Sequence, residues 1–186
     1  MRTRLLDATI ASLVELGWAG TSTTVVSRRA GVSRGAQLHH FPTKQDLVVA
    51  AVDHISRRRR DELAAAGDSL PAQRRTRAVL EILSAQFTST VFMAALELWV
   101  AARTDAALRA AVGPFEQRLG RETHQQVVSL LGIDEGVGDN RRLVQATLDL
   151  VRGLGLAHTL TDDSARRAKV LDAWALVLDE RIGDPS

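Results

Sequence analysis

Residues 21–44 read TSTTVVSRRAGVSRGAQLHHFPTK, two short helical patterns joined at a tight Ala30-Gly31-Val32-Ser33 corner. A glycine at 31 suits a helix end, because it takes the left-handed backbone angle at little steric cost. Ser33 then stands where a new helix needs its N-cap, with the hydroxyl free to accept a backbone N–H from the next turn. Helix, sharp turn, helix is the arrangement that delivers its second helix to the DNA major groove. That second helix carries Arg34, Gln37, His39 and His40, with Lys44 just beyond. These side chains reach phosphates or base edges, and no catalytic nucleophile with an adjacent base accompanies them. The pattern predicts double-stranded DNA as a partner and no catalytic residues.

Composition bounds the alternatives. The chain has 186 residues, enough for one ordinary domain or for a small head and a larger body. Hydrophobic residues make up 45%, enough for a real core, and charged residues 25%, ordinary for a soluble protein. No run of about 18 apolar residues predicts a membrane span. The start, MRTRLLDATIASLVEL, includes Asp7 and Glu15 and has no small-residue cleavage site, so it reads as a helix and not as a signal peptide. The absence of cysteine excludes a disulfide framework and thiolate chemistry, which fits a cytoplasmic location.

Charge is distributed unevenly. Residues 1–60 carry ten Lys/Arg against four Asp/Glu, and residues 61–186 carry fourteen against eighteen. A basic head on an acidic body fits a DNA-binding module joined to one that does not bind DNA, since phosphate neutralisation supplies most sequence-independent affinity. Four of the ten positive charges, Arg57 to Arg60, also read as a solvated helix face with Arg57–Asp61 and Arg58–Glu62 pairs.

Outward from the opening stretch nearly everything reads helical. Leu5, Leu6, Ile10, Leu13, Val14 and Leu16 mark a first amphipathic helix over 4–16, ended by Gly17, with Trp18 packing beneath the next element. Thr21 and Ser22 offer caps for a helix over 23–30, and the next covers 33–40. Pro42 disfavours helical geometry at Phe41. Thr43 to Asp46 resembles a capping box and opens a long helix to about 66. Ser69 and Pro71 begin another, followed by an apolar, buried segment from Phe87 to Ala102. Residues 105–131 form one helical pattern with a bend or break expected at Gly113-Pro114. A loop over 132–138 precedes helices at 140–160 and 163–182, the second opened by capping residues Thr161 to Ser164. The expected fold class is all-α, about nine helices: an N-terminal three-helix helix-turn-helix domain over 1–46 and a helical domain over 47–186.

The run Val32 to Lys44, VSRGAQLHHFPTK, preceded by RRAG, is similar to the signature of the tetracycline-repressor (TetR) family of bacterial regulators. The resemblance covers roughly residues 4–55. It implies that the third helix reads the major groove and that the remainder, matched only in helix count and order, dimerises and binds a small effector. Carried over by position, it puts Ser22 and Thr23 at a helix N-terminus near a phosphate, where free N–H groups and the helix dipole attract an anion. Ser33, Arg34 and Gly35 open the recognition helix. Arg34 is the candidate base reader, since a guanidinium bonds guanine O6 and N7 together, and Gly35 lets the backbone approach DNA closely. His39, His40 and Lys44 fall at phosphate-contact positions, though His40 also reads as a packed histidine. Gln37 lies where relatives usually carry an apolar residue, and Leu38 where they usually carry a phosphate-contacting tyrosine. Gln37 is therefore read as facing adenine, while Leu38 either touches a sugar or thymine methyl or packs inward, with packing preferred.

His39 and His40 diverge by about 100° on a helix and have no carboxylate at ligand spacing, so no metal or other cofactor is expected. In the body, Glu97 inside AALELWVAA and Arg152 inside LDLVRGLGLAH each need a partner, solvent or a polar cavity. One reading is an effector pocket lined by Phe92, Met93, Trp99 and Phe115, with Glu97 or Arg152 as the polar anchor; the other is a satisfied ion pair or an exposed face. Gly153 and Gly155 are costly inside a helix, which suggests close approach by a second helix. With Leu150, Leu154, Ala157, Leu171, Trp174 and Leu178 they predict a homodimer interface of two helices per subunit. The expected function is a ligand-responsive, dimeric repressor of a palindromic operator. The rival is a helical small-molecule-binding protein or enzyme without sequence-specific DNA binding, using Glu97, His124 or His158.

Overall fold

A computed structural model of the protein describes residues 1–67, 70, 71 and 73–182, the side chains at 59, 62, 63 and 65–67 excepted. Among the described residues it is all-helical, with nine helices: α1 Arg2–Gly20, α2 Thr23–Ala30, α3 Arg34–His40, α4 Lys44–Gly67, α5 Arg75–Phe87, α6 Thr90–Ala102, α7 Ala106–Leu131, α8 Asn140–His158 and α9 Ser164–Arg181. The expected helix start at Ser69 lies outside the described residues, and Pro71 precedes α5 without being part of it. No single helix among the described residues is long and apolar enough to cross a membrane.

Local chemistry sets the ends of the first four helices. Gly17 interrupts α1 with φ 65° and ψ −176°, angles that a side chain would oppose, so the helix kinks there before running on to Gly20. The Ser22 hydroxyl accepts the Val25 N–H at 3.2 Å, and Gly31 closes α2 at φ 62°. The Ser33 hydroxyl accepts the Ala36 N–H at 3.3 Å, and Phe41, ahead of Pro42, is extended at φ −141°. At α4 the capping box is reciprocal: the Asp46 N–H donates to the Thr43 hydroxyl at 3.0 Å, and the Thr43 N–H donates to the Asp46 carboxylate at 3.2 Å. The Asp105 carboxylate caps α7 through the Leu108 N–H at 2.8 Å. Gly113 and Pro114 do not end α7, contrary to the break admitted by the sequence.

The chain divides into two compact units, Met1–Arg60 with Thr90–Arg118 and Asp61–Ser89 with Leu119–Ser186. In the first, α1 packs on α6 and α2, and α2 on α3. Leu5, Leu6, Leu13, Val26, Leu47, Val48, Leu98 and Leu108 fill its core. In the second, α5 packs on α8 and α9 around Val79, Leu80, Leu83, Val144, Leu148 and Val151. Arg57 pairs at 2.5 Å with Asp53, one turn before it, where Asp61, one turn after it, was the expected partner, and the Glu62 side chain lies outside those described.

Two expectations for the last helices are corrected. A Cβ at Gly155 would lie 2.3 Å from the Phe87 carbonyl oxygen, so the close neighbour is this chain's own α5, not a second subunit. Leu154, Leu171 and Leu178 are buried within the chain, where α8, α9 and α5 need them as core, and so do not face a partner. Gly153 and Ala157 are exposed, and Leu150 and Trp174 half-buried; the Trp174 indole donates to the Thr147 hydroxyl at 2.9 Å.

Candidate nucleic-acid interface

A seven-residue helix, α3, is held to the head by one buried side. Arg34, Gly35, Leu38, His39 and His40 are exposed on it. The space above Gly35 is open, since a Cβ there would meet no atom within 4 Å. His39 and His40 stand with their rings edge-on, 5.6 Å apart, and His40 leans on Phe41, which is buried. Beside them the Arg2 guanidinium lies 5.5 Å from the centre of the Phe41 ring. At the start of α2, Ser22 and Thr23 are half-exposed, and the first turn of a helix leaves N–H groups without partners inside it. Ser33 is exposed, with its hydroxyl committed to the cap.

Three positions differ from the sequence reading. Gln37 is 0% exposed and its amide donates to the Phe41 carbonyl at 2.7 Å, so it cannot face a base. It occupies the inward slot that an apolar residue would fill, and its own Oε1 is buried without a hydrogen-bond partner. Leu38, for which packing was preferred, is instead 41% exposed. Successive helical residues diverge by about 100°, so turning Gln37 inward turns Leu38 outward. Lys44 is half-buried and has an internal partner. Its Nζ lies 3.6 Å from the centre of the Trp18 ring and donates to the Trp18 carbonyl at 2.5 Å, an internal partner that the sequence reading did not give it. Burial pushes the Lys44 ammonium below the usual lysine value, while the nearby Asp105 charge acts the other way. The tryptophan after a mid-helix glycine was the available signal for this contact, and it has no period to read.

The polar residues of the body have local partners as well. The Glu97 carboxylate accepts the Trp18 backbone N–H at 3.3 Å and is exposed. Arg152 pairs with Asp149 at 2.6 Å and lies 5.7 Å from the Phe87 ring centre. Phe92 and Phe115 are buried, while Met93 and Trp99 are half-buried; Phe92 and Trp99 meet edge-on at 5.9 Å. His124 bonds Glu135 at 2.8 Å, and His158 lies 3.7 Å from Asp163.

These features agree with what the chain is similar to. The family model of bacterial regulatory proteins, tetR family, matches residues 5–51. The HTH-type transcriptional regulator CymR of Pseudomonas putida is 30% identical over 184 residues, 96% of this chain and 89% of that one. A TetR transcription regulator from Haloarcula marismortui has the same fold, with TM-score 0.77 and 21% identity over 97% of this chain and 98% of that one. So does a transcriptional regulator from Saccharomonospora viridis in complex with choline, with TM-score 0.71 and 16% identity over 97% and 96%. An exposed recognition helix on a helix-turn-helix head, followed by a helical body and matched along nearly its whole length by such regulators, is a DNA-binding transcriptional regulator: the chain belongs to the TetR family.

Proposed function

We propose that this protein is a dimeric repressor that binds an inverted-repeat operator through α3 and leaves it when a small molecule occupies the body. The observation that carries the reading is the outward face of α3, with the Arg34 guanidinium at its first turn, the open backbone at Gly35, and His39 and His40 at its end. A guanidinium in the major groove reads guanine, and imidazoles at the helix end suit the phosphates on either side. Residues 1–46 form the DNA-binding domain in this reading and 47–186 the effector and dimerisation domain. Action on the chromosome places the protein in the cytoplasm.

The outer face of α8 and α9 supports the dimer. Leu156, Leu160 and Leu176 are 53%, 90% and 66% exposed; Gly153 and Ala157 lie on the same helix as Leu156, and Leu160 stands in the turn just after it. Beside them runs an apolar groove of about 430 Å³ lined by Leu150, Val170, Ala173, Trp174 and Val177. Exposed apolar side chains gathered on α8, on α9 and in the turn between them mark an interaction site, and an inverted repeat asks that two reading helices lie about 34–36 Å apart or somewhat more. A choline complex of a protein with this fold supports a small-molecule effector. Phe92, Met93, Trp99 and Phe115, all of the first unit, remain the proposed apolar lining, with Glu97 as a polar group already held by a partner of its own.

Genome-fragment selection with the purified protein, followed by footprinting, tests the reading. The expected result is a protected sequence with twofold symmetry, its binding falling steeply with salt. Protection without symmetry, or binding indifferent to sequence, would refute it.

A further inference from the structure

The recognition helix α3 ends on Phe41, which is fixed on every side. Its side chain is buried, its N–H donates to the Gln37 carbonyl at 2.8 Å, and its own carbonyl accepts the Gln37 amide at 2.7 Å. Pro42 follows with its φ locked by the ring. Two polar side chains lean on Phe41 from different helices. The His40 ring of α3 has its centre 6.3 Å away. The Arg2 guanidinium of α1 lies 5.5 Å from the ring centre, within the reach at which an aromatic face attracts a cation. Both His40 and Arg2 are exposed. The cations of this unit differ in what they hold. Arg29 pairs with Glu15 and Arg57 with Asp53, whereas Arg2 pairs with no carboxylate among the described residues. Asp46 lines a cleft with Phe41, but its carboxylate is tied to the Thr43 hydroxyl at 2.7 Å. Arg2 thus keeps its charge open to solvent, and the ring keeps it beside the end of α3.

An α-helix about 10–12 Å across fills a major groove about 12 Å wide. A side chain that a second helix holds at the end of the first then meets the strand bordering the groove, where phosphates and not base edges are offered. We infer that Arg2 is a phosphate contact supplied by α1, with Phe41 as its platform. The DNA surface of the head then extends beyond α2 and α3 to the first turn of α1. This inference rests on α3 being the DNA-reading helix, and one arm of its test does not.

Binding of the full chain is measured over a range of salt, on the duplex recovered by genome-fragment selection and on an arbitrary duplex of the same length. Phosphate neutralisation is independent of sequence, so Arg2→Ala should weaken binding to both, by about tenfold on the recovered duplex. The salt slope should become shallower by about 0.9 for each subunit bound. Arg2→Lys keeps the charge and should keep the slope. Arg29→Ala is the control, because its guanidinium is already paired with Glu15, and should leave the slope unchanged. An unchanged slope for Arg2→Ala overturns the inference. So does an equal loss in Arg29→Ala, where net charge and not position is felt, or a loss confined to particular base pairs. The platform is tested by a double-mutant cycle: Phe41→Leu should weaken binding in the parent and add little in the Arg2→Ala background, and full additivity overturns it. Circular-dichroism melts show that each variant is folded, and Phe41→Met serves the cycle if Phe41→Leu does not fold. If selection recovers no specific duplex, the assignment of α3 fails by itself, while the arbitrary duplex still decides Arg2. Binding to neither duplex refutes both.

Discussion

At position 37 a glutamine amide without solvent-exposed surface pins the short α3, with its nitrogen bonded to Phe41 and its oxygen unpaired. Gln37→Glu replaces the donor with a buried carboxylate, so it should cost several kcal/mol and lower the melting temperature markedly. Gln37→Met keeps the volume and removes the orphan oxygen along with one hydrogen bond. Those changes nearly offset, so stability should move by about 1 kcal/mol or less, and the selected operator sequence should stay the same. An altered operator preference in the Met variant at unchanged stability would restore Gln37 as a base reader. Arg34 is the opposite case, exposed at the first turn of α3. Arg34→Ala should remove about 1–3 kcal/mol of discrimination at its base pair while changing stability by no more than about 0.5 kcal/mol. Gel retardation and thermal melts on the same preparation separate the two effects.

Between helices, the two glycines of α8 make a paired experiment. Alanine at an exposed helical site gains about 1 kcal/mol over glycine, and Gly153 has open space for a Cβ. Gly153→Ala should therefore stabilise the isolated subunit, and it should weaken self-association if a second α8 packs against it. Gly155→Ala has the same propensity gain, but its Cβ would strike a backbone carbonyl of α5, which cannot swing aside as a side-chain tip can. Overpacking of that kind costs about 1–3 kcal/mol, so a net loss is expected in chemical denaturation. At the head of α9, hydrogen bonds from Ser164 hold the Asp162 carboxyl below its usual 3.8. Its contribution to stability is present above the unfolded value and is lost as pH falls through the lowered folded value. Asp162→Asn should accordingly flatten the acid limb of the stability profile below about pH 4.

The helix boundaries were legible in the sequence because caps are local: Ser22, Gly31, Ser33 and Thr43 act within their own turn. The inward side of α3 was not, since seven residues give too few turns for periodicity to identify a face. Gly155 was recognised as a point of close approach, but a glycine states that something is near and not what. Lys44 and Glu97 were each read alone, one as a DNA ligand and one as a pocket anchor. Their shared partner lies on α1, and no spacing rule joins three helices through a kink.

For the molecule as a whole, the decisive measurement is the state of assembly. Leu160→Glu with Leu176→Glu places charge on the exposed apolar side chains of α9 and of the turn before it, while leaving the buried Leu154, Leu171 and Leu178 untouched. Sedimentation should then show a folded single subunit, with operator binding much weakened, because two half-sites are no longer joined. A dimer that survives both changes would put the contact elsewhere. The composition of α3 has a further consequence for the genome it searches. If α3 reads DNA as proposed, then with Gln37 turned inward and Leu38 turned out each half-site would meet one forked hydrogen-bond donor and one greasy contact suited to a thymine methyl. So short a vocabulary recurs by chance throughout a bacterial chromosome, where competing sites number about a million or more. Information must then come from grammar: the fixed interval and mirrored order of the two words, which a rigid pairing of subunits enforces, should make operator spacing less tolerant of insertion than any single base is of change.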